Sequence, residues 1–455
     1  MRDSRTHPYI PNSNPEVKES MLAFIGVDSV EAFYSDIPSD LRLKSPLNLP
    51  PAIRSEQELV HHVSRILDKN VPQSRLLSFL GAGTYNHYVP AVVDEVINRS
   101  EFLTAYAGDP YEDHGRFQAL FEYQSLMAEL LNMDVVNVPN YDGLQAAATS
   151  LAMAQRITSR KKILVVTPIN PDKLSKVINY NAFNLQFEFI ETQSQQPDLL
   201  AIASALTGEH AAIWLDSPSY YGTLCSNISL VADLAHKNGS LLVVGVDPIA
   251  MGVLASPADQ GADIIYGDIQ SLGIHCWFGG GHGGFIAVHD DPKFVMEMPS
   301  RLFGLESTSV EGEYGFGDVA YERTSFAVRE EGKEWVGTAA ALWGIAAGVY
   351  LSLMGPRGMV EVGKSIVART RYTAMKLSSI EGLSIENWSK QFREFVIDVS
   401  DSGKTAKELI RRGRSLNAEI GVAISEFQIL TCVTEMNSES DIDELYRIMS
   451  QIVEA

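Results

Sequence analysis

Through the middle of the chain, short and nearly continuous apolar runs alternate with helical patterns. KKILVVTP (161–168), LQFEFIET (185–192), AAIWLD (211–216), LLVVGVD (241–247) and Ala262–Tyr266 read as strands. Lys173–Tyr180 and VADLAHKNGS (231–240) read as helices between them, the second with His236 and Lys237 in its last turn and Gly239 as its stop. Strands that are apolar on both faces and alternate with helices predict an α/β architecture with a mostly parallel, helix-covered sheet. Ligands of such sheets bind outside the carboxyl ends of the strands, where Asp216 and Asp247 stand.

The flanks have a different rhythm. Pro15–Ile25 reads as a helix opened by Asn14, and Ser55–Lys69 has Leu59, Val60, Val63 and Leu67 at helical spacing. Between them IPSDLRLKSPLNLPPAI (37–53) holds four prolines and forms no regular element. Residues 1–78 are therefore expected to be an N-terminal helical and extended arm that wraps a neighbour. Residues 79–335 are expected to be the large α/β domain, containing an amphipathic helix Arg116–Asn132 and, after the strand FIAVHD (285–290), a loop-rich excursion over Met298–Lys333. Residues 336–455 are expected to be a linking helix, ended by GPRG (355–358), and a small α+β domain. That domain would hold the helix Met359–Ser379, the strand FREFVIDV (392–399), the helix Thr405–Arg412, the strand FQILTCVT (427–434) and the helix Ser440–Val453.

Composition narrows the function classes. At 455 residues the chain exceeds the ~250–300 at which one core stops growing, so more than one domain is expected. A formal net charge of −21 argues against a nucleic-acid surface. The three cysteines are widely separated, give no zinc spacing and fit a reducing compartment. The opening residues MRDSRTHPYIPNSN lack the apolar core of a secretory signal, so a cytoplasmic setting is expected. Val336–Gly355 is an uncharged stretch of roughly membrane-spanning length, but its Ala/Gly-rich composition reads as a buried helix.

The candidate chemistry lies in two places. Asn140, Tyr141, Asp142 and Gly143 precede the alanine-rich helix Leu144–Ala154. Its first amides could hold an anion, or Asp142 could simply cap them. The second place is Gly245–Gly284. A strand ending on an acid, Asp247, followed by a strand leading to a lysine, is how pyridoxal phosphate (PLP) sites are built. Here the acid is present, and no lysine occurs between Val246 and Lys293. His275 and His282, seven residues apart without cysteine or carboxylate spacing, make no metal site. Glu112 and His114, in PYEDHG, are candidates for general acid–base work. Cys276 reads as a buried or lining thiol, and Lys333 is the one lysine in the segment REEGKEWVGT.

Several blocks resemble one family: HPYIPNS, IGVDSVEAFYSDIP, PSDLRLKSPLNLPPA, FLGAGTYNHYVPAVV, NYDG, VDPIAMGVL, GADIIYGDIQSLG and ILTCVTEMNSESDIDEL. They resemble glycine decarboxylase, the P protein of the glycine cleavage system, and within it subunit 1 of the split bacterial and archaeal form. The resemblance implies the fold type I, aminotransferase-like PLP transferase fold. It implies a homologous subunit 2 that carries the PLP lysine, with Gln270 and Ser271 of this chain standing at its His-Lys pair. PLP would then be bound covalently by the partner, in a heterodimer doubled to a heterotetramer that decarboxylates glycine and passes an aminomethyl group to a lipoylated H protein. Asp247 and the Asn140–Gly143 turn would face the vestigial pocket, and Glu112, His114, His275 and His282 would lie near the shared site. The sequence departs from the family in AYAGDPYEDHGRFQ, REEGKEWVGT and HCWFGGGHGG, at chemistry-facing positions. Two alternatives stay open on that account: a divergent paralogue whose complex acts on another amino acid, and a catalytically silent scaffold or regulatory subunit.

Overall fold

The structure is a computed structural model that describes residues 9–45, 47–103, 114–190, 192, 195–276, 281–319, 321–325, 332–334 and 340–454. Contacts divide the chain into two compact units, Met1–Val71 and Pro72–Ala455.

The first unit carries two helices, α1 (Pro15–Ile25) and α2 (Glu56–Leu67). The Asn14 side chain accepts the Glu16 amide at the start of α1, and Gly26, at φ 82°, ends it in the left-handed conformation that suits glycine. Ser55 caps α2 by accepting the Glu58 amide. Neither helix buries a residue.

The second unit begins with β1 (Leu77–Ser78), α3 (Ala91–Ile97) and α4 (His114–Leu131). The strands β2 (Val135–Val136), β3 (Lys162–Val165), β4 (Gln186–Phe189), β5 (His210–Ser217), β6 (Leu241–Val246), β7 (Ile264–Asp268) and β8 (Gly284–Val288) form one sheet in the order β2-β8-β7-β6-β5-β3-β4. The run β4-β3-β5-β6-β7 is parallel, and β8 runs antiparallel to both of its neighbours. Alternate residues go to opposite faces. Leu164, Ile213, Leu215, Val244 and Ile265 enter one apolar layer, while Ile163, Val165, Trp214, Val243 and Ile264 enter the other. That double burial is why these strands read as continuous apolar runs. The helices between the strands are α5 (Gly143–Thr158), α6 (Pro171–Tyr180), α7 (Leu199–Ala205) and α8 (Ile228–Lys237).

After β8 come the short helix α9 (Pro292–Val295) and two strands, β9 (Phe303–Ser307) and β10 (Tyr314–Asp318), which pair antiparallel. The expected loop-rich excursion thus contains a hairpin. Of its ten strand residues only Phe303 is fully buried, so no apolar run marks them. The linking helix does break at GPRG: α10 (Ala341–Leu377) is two helical stretches joined at Gly355 (φ 57°, ψ −179°), a non-helical conformation open to glycine, with Pro356 just after it. Among the described residues no helix is long and apolar enough to cross a membrane. The chain ends with β11 (Glu394–Asp398), α11 (Ala406–Ser415), β12 (Ala418–Glu419), β13 (Val422–Ala423), β14 (Gln428–Cys432) and α12 (Glu439–Glu454). The antiparallel trio β11-β14-β13 packs over α11, α12 and the end of α10 around Leu377, Phe395, Leu409, Ile429 and Leu445. This places Phe392–Glu394 opposite the carboxyl ends of the large sheet.

Candidate functional site

The carboxyl ends of β5, β6 and β7 open on a cavity of about 270 Å³. Its remaining walls are the 82–85 loop, the first turns of α5 and α6, His282 and the segment Phe392–Glu394.

At the first turn of α5 the chain supplies its own anions. Asp142 Oδ1 accepts the Gln145 amide at 2.7 Å, and Asp268 Oδ2, from the end of β7, accepts the Gly143 amide at 2.8 Å. Asp268 Oδ1 accepts the Gln270 amide at 2.9 Å, and His282 Nδ1 lies 3.0 Å from Asp268 Oδ2. The other ring nitrogen, Nε2, lies 3.1 Å from Thr84 Oγ1.

At the end of β6, Asp247 faces Arg393. Their closest approach is 2.5 Å, and the Arg393 side chain is only 1% exposed. Asp247 Oδ1 also accepts the Ile249 amide at 2.9 Å. The guanidinium lies 4.0 Å from the centre of the Tyr85 ring, a cation–π geometry. Burial works against the Arg393 charge, yet Asp247 and Tyr85 hold its pKa above the ordinary guanidinium value. Arg393 takes a left-handed backbone, φ 62°, unusual for a residue with a side chain. Next to it, Glu394 accepts the Ala82 amide at 2.6 Å and the Tyr85 hydroxyl at 3.0 Å. Burial pushes the Glu394 carboxyl up to about 7 against those stabilising bonds.

A third cluster occupies the end of β5. Trp214 Nε1 donates to the Tyr266 hydroxyl at 2.8 Å, which donates to Asp216 Oδ1, and Asp216 Oδ2 is 2.7 Å from Lys173 Nζ. Burial, with Asp216 beside it, drives the Tyr266 pKa far up, so the phenol stays a donor. Gly245 makes room for this cluster, since a Cβ there would lie 2.1 Å from Asp216 Oδ1 and 2.6 Å from the Tyr266 hydroxyl.

A sheet of this order, a second small domain over its carboxyl ends and an acid at the end of β6 are the frame of a PLP enzyme. Residues 7–449 match the family described as glycine cleavage system P-protein. The chain belongs to that family. Relatives include a protein of Shouchella clausii named "Probable glycine dehydrogenase (decarboxylating) subunit 1", 35% identical over 98% of this chain and 100% of its own length. The crystal structure of a glycine decarboxylase (P-protein) of the glycine cleavage system in inhibitor-bound form superposes with a TM-score of 0.85 at 29% identity, over 98% of this chain and 100% of that one. A sphingosine-1-phosphate lyase of Burkholderia pseudomallei shares the fold, with a TM-score of 0.66 at 13% identity over 90% of this chain and 93% of that one. The fold is that of the fold type I PLP transferases, and PLP belongs to the chemistry of this P-protein family.

Within this P-protein-family chain the residues expected from sequence are scattered around the cavity. Asp142, Gly143, Asp247, Ser271 and His282 line it. Asn140 does not. Its side-chain oxygen accepts from Asn137 Nδ2 at 2.6 Å, and its backbone exchanges hydrogen bonds with Gly284, which makes it a buried clip between strands. Tyr141 points outward and is 57% exposed. His275 Nε2 pairs with Asp94, 3.0 Å away, outside the lining. Lys333 donates its amide to Ser325 Oγ and does not line the cavity. The Cys276 thiol donates to the Tyr85 carbonyl at 3.1 Å. Glu112 lies outside the described residues, and of His114 only its place at the start of α4 is described. Sequence reasoning missed Thr84, Tyr85, Lys173, Asp268, Arg393 and Glu394. The adjacent charges Arg393 and Glu394, set inside the apolar run FREFVIDV, were the available signal.

Proposed function

We propose that this chain is the lysine-less subunit of a PLP-dependent glycine decarboxylase complex. In this reading a homologous second subunit holds PLP covalently, the pair doubles to a heterotetramer, and a lipoylated H protein receives the aminomethyl group. PLP bound there supplies the electron sink for loss of CO₂.

The observation that carries the reading is the state of this chain's own pocket, whose residues do not fit the cofactor. Ser271, which lines the pocket, is the residue that the family resemblance sets at the Schiff-base lysine position. The α5 amides that would take a phosphate are given to Asp142 and Asp268, and the acid that would face a pyridine nitrogen is given to Arg393. Lys173, one of the two lysines in the lining, is tied to Asp216. A second subunit also accounts for the first 71 residues. Phe24 is 93% exposed, and Leu59 and Ile66 are about half exposed, on helices that bury nothing. An apolar surface of that kind marks an interface.

The test is co-expression with the lysine-bearing subunit, followed by exchange of labelled bicarbonate into the glycine carboxyl group. Exchange by the pair, absent from either chain alone, supports the proposal. A PLP-loaded pair that exchanges no label into glycine overturns it in favour of another amino acid. A partner fully active alone leaves this chain a scaffold.

A further inference from the structure

The first turn of a long helix is the natural place for an anion, because its free amides and the helix dipole both favour negative charge. In this pocket that place is filled from within. Asp268 reaches across from β7 to the Gly143 amide at 2.8 Å, while the Gln270 amide at 2.9 Å and His282 Nδ1 at 3.0 Å hold the carboxylate from its other sides. The seat depends on Gly143. A Cβ at that position would lie 3.0 Å from the Asp268 Cβ and 3.3 Å from its backbone nitrogen, a contact tight enough that Asp268 would have to shift to admit it. The surroundings reinforce the effect. Among the described residues the lining carries six carboxyl groups, Asp268 included, against three lysine or arginine side chains, two of which are already paired to Asp216 and Asp247.

We infer that Asp268 is a built-in occupant of the phosphate cradle: a specificity-determining residue that closes this chain's pocket to phosphate monoesters, PLP among them. A phosphate arriving at α5 meets a carboxylate already bonded to the amide it needs, and must either displace it or sit against like charge. Emptying the seat should therefore turn the pocket into a phosphate site, even though no lysine is present to form a covalent bond. This is a property of the chain's own pocket, and it holds whichever amino acid the complex acts on.

The experiment uses the full chain, wild type and Asp268→Ser, titrated with inorganic phosphate and separately with PLP, against chloride at matched ionic strength. Thermal midpoint and PLP fluorescence are the readouts, so no partner or activity is involved. The wild-type midpoint should respond to phosphate no more than to chloride. D268S should show a saturable rise, with PLP and phosphate competing, and affinity about tenfold to a hundredfold above wild type, the range of one charge-assisted hydrogen bond. Equal responses of the two proteins overturn the inference, as does a folded D268S that binds no phosphate. Should D268S fail to fold, Asp268→Asn keeps an acceptor for Gly143 while removing the charge. It must then bind phosphate more tightly than wild type, and the absence of any gain overturns the inference equally.

Discussion

The Arg393–Asp247 pair offers the sharpest energetic test of the pocket. Arg393 is a buried cation whose only carboxylate within ion-pair range, among the described residues, is Asp247. Among the described residues its guanidinium nitrogens otherwise lack hydrogen-bond partners, and the centres of the Tyr85 and Phe392 rings lie 4.0 and 5.5 Å from it. Asp247→Asn keeps the shape and the bond from the Ile249 amide but leaves the cation without an anion. Breaking one side of a buried pair costs about 3–5 kcal/mol, because the surviving charge stays desolvated. The reverse change, Arg393→Met, should cost less, since Asp247 is 13% exposed and can recover water. The pairing Asp247→Leu with Arg393→Met should return most of the stability, because apolar replacement of a buried pair is close to neutral. Urea unfolding, read as a change of midpoint at unchanged slope, measures all three. A D247N loss below about 1 kcal/mol, the range of an exposed pair, would refute the reasoning, as would an R393M loss larger than that of D247N.

Three further outcomes follow from other contacts. Burial raises Glu394 from 4.5 to about 7, so between those values the folded chain holds a proton that the unfolded chain releases. Stability should fall as pH rises from about 4.5 toward 7 and level off above, by roughly 3 kcal/mol. Glu394→Gln should flatten that descent, and a variant stability–pH curve parallel to wild type contradicts the assignment. Gly222 has φ 79°, and a Cβ there would lie 1.9 Å from the Glu394 carbonyl oxygen. Gly222→Ala should therefore cost at least about 2 kcal/mol in the same urea assay, and an unchanged midpoint contradicts this. Deleting residues 1–71 removes the exposed apolar helices and should abolish assembly with the second subunit in size-exclusion chromatography while leaving the circular dichroism of the body native-like. A truncated chain that still co-elutes contradicts the role given to the arm.

Sequence periodicity reached furthest where burial is two-sided. Val243 and Val244 enter opposite apolar layers, so β6 appears as an unbroken apolar run and its terminal acid is visible at once. The Asp142 cap was legible for the same local reason: cap and helix are adjacent in sequence. The pairing partners were not. Arg393 meets Asp247, Glu394 meets Tyr85 and Lys173 meets Asp216 only through the fold, across spacings that no periodic pattern records. Asp268 was hidden differently. It sits inside a block whose family likeness drew attention to the missing lysine at Ser271, although the carboxylate three residues earlier decides what the helix terminus can bind. The break in α10 was legible because GPRG ordinarily stops a helix, and Gly355 does leave helical geometry before a second helical stretch begins.

The central claim is that the cofactor chemistry of the complex belongs to the partner and this chain completes it without holding PLP. The most direct measurement is borohydride reduction of the co-purified pair in the presence of PLP, followed by mass analysis of each chain and by bicarbonate–glycine exchange on an unreduced sample. The account predicts a pyridoxyl adduct on the second subunit alone, with exchange that requires both chains. An adduct on any lysine of this chain, Lys173 above all, would contradict it.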